Sequence, residues 1–210
     1  MNKEEKALNR IKEIYDSCSD EVKKSILAYI QNVGEKSKPT IKPTLDDYTT
    51  IKTYEDACEA LGEEPLPYEP NPIMTLYGID YEVPPHIIAL MKLETISRAL
   101  RGRTWKPEPD VDTEGSNRFY FPVFILYTKS EIDEMNEDER DGLLSAVASD
   151  GACAGFGFLS TYSRSSFARA HCGFRLCQED SEKAKYFGKQ FLELWAEYLK
   201  FNFEVGGRLK

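Results

Sequence analysis

Between Ala168 and Cys177 the chain alternates. Ala168, Ala170, Cys172, Phe174 and Leu176 take the even positions, and Arg169, His171, Gly173 and Arg175 the odd ones. A period of two sends these sets to opposite faces of a strand. Residues 167–177 are therefore predicted as a half-buried strand that shows two arginines and a histidine on one surface. AGFGFLSTY (154–162) reads as its hairpin partner around Ser163–Ser166. FYFPVFILY (119–127) is apolar on both faces and predicts a further strand. Its Pro122 cannot donate to a ladder and marks an edge or a bulge.

The helical period appears elsewhere. Leu8, Ile11, Ile14 and Tyr15 make one stripe, and Val22, Ile26, Ile30 and Val33 a second that Gly34 ends, together an N-terminal helical hairpin. EKSKPTIKPT (35–44) follows as an extended linker. Thr53 and Asp56 have capping-box spacing ahead of Tyr54, Ala57, Cys58 and Leu61, with Gly62 as terminator. Residues 63–82 hold four prolines and read as irregular. Pro84 or Pro85 opens a helix whose apolar face comprises Ile87, Leu90, Met91, Leu93, Ile96, Ala99 and Leu100. Ser130 to Asp141 reads as an acidic helical excursion, and Ser181 to Lys200 as a closing helix with Ala184, Phe187, Phe191, Leu194, Trp195 and Leu199 inward. Helices on either side of about three antiparallel strands define an α+β class, without the βαβ alternation of a doubly wound fold. The expected organisation is an appendage of residues 1–46 and a core domain of 47–210.

Charge narrows the function classes. The net charge of −9 speaks against nucleic acid as a partner. No apolar run reaches the length of a membrane span, and the charged N-terminus does not read as a secretory leader. Five scattered cysteines without a CxxC pair read as reduced thiols in a cytoplasm, not as a zinc site. GxSxG, Walker A, GxGxxG and HExxH are all missing from the sequence. DVDTEGSNRFYF (110–121) starts like a calcium loop but has Phe121 where a bidentate glutamate is required. No metal, cofactor or catalytic residue is expected.

Two surfaces remain as candidates. SEIDEMNEDERD (130–141) carries seven carboxylates and one arginine, and Glu131, Asp133, Glu134, Glu137 and Asp138 are the candidate contacts for a basic partner. Arg169, His171 and Arg175, with Arg164 and Tyr162 from the adjoining loop, form a candidate anion site. Arginine forks suit phosphate or carboxylate, and an aromatic ring can stack on a planar ligand.

Three segments carry a resemblance. IKTYEDACEALG (51–62), ISRALRGRTWKPE (96–108) and GFRLCQEDSEKAKYFGKQFLELWAEYL (173–199) are similar to uncharacterised proteins of Bacteroidetes bacteriophages and prophages of the crAss-like type. The similarity runs over residues 51–108 and 119–200. It implies a phage or prophage origin, with the host cytoplasm or the virion as location, and supplies no catalytic residues. The first expectation is a soluble protein that binds a phage or host protein without catalysis, with homo-oligomer contacts through residues 1–46. The alternative is a small anionic ligand or nucleotide module on the Arg169/His171/Arg175 face.

Overall fold

The computed structural model describes residues 22–24, 42–66, 73–76, 79–108, 118–148, 150–165 and 174–209. The chain divides into two units, Met1–Lys42 and Pro43–Lys210. Of the first, residues 22–24 are helical; the rest of the expected helical hairpin lies outside the described residues, as does the loop at 110–117.

The second unit is α+β. A short 3-10 turn (Tyr48–Thr50) leads into α1 (Tyr54–Leu61), and Thr53 and Asp56 close the capping box that their spacing predicts. Gly62 then takes a φ of 71° to end the helix, a left-handed conformation that glycine adopts without a Cβ penalty. Strands β1 (Ile73–Leu76) and β2 (Ile79–Glu82) form a two-stranded antiparallel hairpin, so the stretch expected to be irregular holds regular structure. Helix α2 (Pro85–Arg101) follows, with Pro84 as its N-cap.

The main sheet is antiparallel and has four strands, one more than expected, in the order β3-β5-β4-β6. These are β3 (Arg118–Tyr127), β4 (Leu144–Ala148), β5 (Gly155–Ser165) and β6 (Phe203–Arg208). Two short helices, α3 (Lys129–Glu134) and α4 (Glu137–Asp141), fill the acidic excursion, each closed by its own capping box. The closing helix is broken at Phe191 into α5 (Ser181–Gln190) and α6 (Leu192–Leu199).

Strand β3 is an edge of the main sheet, the first of the two alternatives that Pro122 marks. Tyr120 turns its N–H and C=O outward to exchange hydrogen bonds with Gln178, at 3.0 and 2.9 Å. Pro122, two residues on, points its missing donor to that same outer side, where no strand runs among the described residues. The ladder with β5 slips by one residue between Val123 and Phe124, and the extra residue is Leu159.

One core cluster lies among the helices and joins Ile51, Ala57, Cys58, Leu93, Ile96, Leu100, Phe187 and Trp195. A second lies between α6 and the sheet, through Leu144, Ala146, Phe156, Leu192, Ala196 and Phe203. Phe124 packs against both, with its ring centroid 5.4 Å from Phe156 and 5.1 Å from Trp195.

The predicted strand at 167–177 is corrected where it can be seen. Residues Phe174–Leu176 form a 3-10 turn, and β5 pairs with β3 and β4. The reason is the buried Arg101. Its guanidinium takes the carbonyls of Arg175 and Cys177, which ties this turn to the end of α2 instead of to a neighbouring strand. A Cβ on Gly155 would strike the Ile132 side chain, and one on Gly157 would strike Leu143, so the acidic excursion and its return segment close onto that end of the sheet.

Candidate functional site

The acidic ledge is built from α3 and α4. Thr128 accepts from the Glu131 N–H while the Glu131 carboxylate takes the Thr128 N–H at 2.7 Å. Asn136 and Glu139 repeat the arrangement at 2.9 and 3.0 Å. The Thr128 N–H and hydroxyl hold the Glu131 carboxyl below its ordinary value. Ile132 is the one buried side chain of these two helices and anchors the ledge.

Glu131, Asp133, Glu134, Glu137 and Asp138 are all exposed. Arg140, the arginine within the run, does not neutralise them. It donates through Nε to the Ile132 carbonyl and through Nη2 to the Asp133 carbonyl, each at 3.1 Å. Among the described residues, no carboxylate of this ledge takes part in an ion pair.

The basic candidates scatter over separate elements. Arg164 on β5 lies over the Tyr162 ring at 4.5 Å, so these two do meet. Arg175, in the 3-10 turn, is tied to α2 by a 2.7 Å ion pair with Glu94. Arg169 and His171 lie outside the described residues.

Two clefts were not anticipated. The first, of about 470 Å³, is lined by Tyr127, Leu143, Phe158 and Leu192, with Asp138 and Glu139 on the ledge side and Lys189 and Arg208 on the other. The second, of about 450 Å³, contains Tyr48, Tyr186, Gln190, Lys185 and Glu182, again with Lys189 and Arg208. Lys189 and Arg208 are the two residues common to both. No local sequence signal marks these clefts, because their walls come from β3, α4, β5, α5, α6 and β6. A lysine in the sequence of α5 reads as a solvated helix face until β6 brings Arg208 beside it.

Cys58, Cys153 and Cys177 are buried and form no disulfide, and burial pushes the Cys177 thiol up to about 11. Among the described residues, no group of three or more His, Cys, Asp or Glu is placed to hold a metal ion, and no helix is long and apolar enough to cross a membrane. Comparison of the chain with family models, curated proteins and solved structures gives no match.

Proposed function

We propose that this is a non-catalytic binding protein of phage or prophage type, which docks a basic segment of a protein partner on the α3–α4 ledge. A virion component or a host factor would be that partner, in the host cytoplasm or the assembled particle. The observation that carries this reading is the uncompensated charge. Exposed carboxylates on two self-capped helices project from one place, and the local arginine is committed to backbone carbonyls. The capping boxes fix the helices before any partner arrives, which lowers the ordering cost of docking. The phage or prophage setting is what the sequence resemblance of residues 51–108 and 119–200 implies. The anion site on the Arg169/Arg175 face has weaker support, since Arg175 is already paired with Glu94.

The test is capture of partners from infected cells with the full chain and with an Asp133→Lys/Glu137→Lys variant, read by mass spectrometry. One partner with a basic surface should be retained by the parent and lost by the variant, and its retention should weaken as salt is raised. Equal capture by both chains would remove the ledge from the function.

A further inference from the structure

The two clefts meet at a pair of cations in a protein that carries an excess of acid. Lys189 is exposed and, among the described residues, has no carboxylate within ion-pair distance; its Nζ sits 5.7 Å from the Phe158 ring centroid. Arg208 donates to the Asp141 carbonyl at 3.3 Å and faces Glu193 only at 3.8 Å. Lys185 also lines the second cleft, and its contact with Glu182 is 4.0 Å long. Long, exposed pairs of this kind hold their partners weakly, so all three cations are available to a stronger anion.

We propose that these clefts form one binding site for a free nucleotide, with its phosphates on Lys185, Lys189 and Arg208 and its base in the slot of the first cleft. The slot has the chemistry of a base pocket. Phe158 and Tyr127 supply aromatic lining, Leu143 and Leu192 apolar lining, and its volume of about 470 Å³ suits a small ligand. Asp138 and Glu139 at the far wall give the site its polarity. One Glu139 oxygen is engaged by the Asn136 N–H, whereas the Asp138 carboxylate is exposed and free to accept from an amino group of the base. These carboxylates repel phosphate, so only one orientation puts the anion on the cationic divide.

The site is distinct from the Arg164/Tyr162 pair, and the net charge of the chain argues for a mononucleotide over a nucleic acid polymer.

Isothermal titration of the full chain with ATP, GTP, adenosine and tripolyphosphate at low ionic strength tests the proposal. At least one nucleoside triphosphate should bind, with adenosine and tripolyphosphate each much weaker. Lys189→Gln and Arg208→Gln should each weaken binding about tenfold or more, the scale of one lost charge-assisted hydrogen bond. Arg164→Gln should leave it unchanged. Lys189 has no structural ion pair to lose, so its variant should keep the parent melting curve. No binding of either triphosphate, tripolyphosphate binding as strong as the nucleotide, or Lys189→Gln binding like the parent would each overturn the proposal. Partner capture on the ledge should survive Lys189→Gln, which separates a failure here from a failure of the docking surface.

Discussion

At the scale of single residues, Arg101 is held by three hydrogen bonds. It is buried and keeps its charge without an ion pair to any described carboxylate. Nε donates to the Cys177 carbonyl at 3.1 Å, while Nη2 reaches the Ser97 hydroxyl at 2.8 Å and the Arg175 carbonyl. Burial lowers its pKa, but an arginine starts high enough to stay protonated. Replacing it with methionine would take the donor from the Arg175 carbonyl and leave Ser97 and the Cys177 carbonyl with one donor each, Gln178 and Ser97, so Arg101→Met should destabilise the protein by about 1–3 kcal/mol in denaturant unfolding. Gln178 behaves differently. Its Nε2 donates to Ser97 at 2.9 Å, yet its Oε1 is buried without a hydrogen-bond partner. Gln178→Met loses the first and relieves the second, and should stay within about 1 kcal/mol of the parent. Acid should act at Glu63. The Arg98 fork, at 2.6 and 2.7 Å, holds its carboxyl below its ordinary value. A depressed carboxyl contributes above that value and loses its contribution as pH falls through the folded pKa. Both side chains are over 40% exposed, so Glu63→Gln should remove no more than about 1 kcal/mol of acid-sensitive stability, measured as unfolding free energy against pH.

Among the elements, α5 shows why a helix tolerates glycine in its interior. Gly188 costs about 1 kcal/mol in helix propensity relative to alanine. A Cβ there would sit 2.5 Å from a Phe158 ring atom and 2.8 Å from the Pro122 Cβ. The helix lies that close to the sheet, and neither a ring nor a proline on a paired strand can give way cheaply. Gly188→Ala should therefore destabilise by about 1–3 kcal/mol in spite of its better propensity, as thermal or denaturant unfolding would show. This close approach was not legible in the sequence, where Gly188 only interrupts an apolar stripe. The caps at Thr53 and Gly62, the proline at the start of α2 and the edge character of β3 were legible, because each depends on a few neighbouring residues. The alternation at 168–177 misled at its end for the opposite reason: a guanidinium more than seventy residues away decides where those carbonyls go. The clefts are harder still, since no element owns them.

On the scale of the molecule, both core clusters lie within Pro43–Lys210, and Leu45 already packs against the first. A chain of 43–210 is expected to melt cooperatively on its own, whereas one beginning at Tyr48 should melt lower for want of Leu45, a contrast that circular dichroism can read. If residues 1–46 join copies, as proposed from their amphipathic stripes, the 43–210 chain should also be monomeric by light scattering. The main sheet makes that measurement cleaner. Between Leu144 and Ala146 the ladder with β6 shifts, so that two steps on β4 match three on β6 through Gly206 and Gly207. One rim of the sheet is thus kinked at a glycine pair, and the other carries Pro122 and is occupied at Tyr120 by Gln178. Neither rim offers a straight row of donors and acceptors on which another chain could be templated. Concentrated solutions of this protein should therefore resist seeding into fibrils even at the pH where its carboxylates are neutralised and repulsion between molecules disappears.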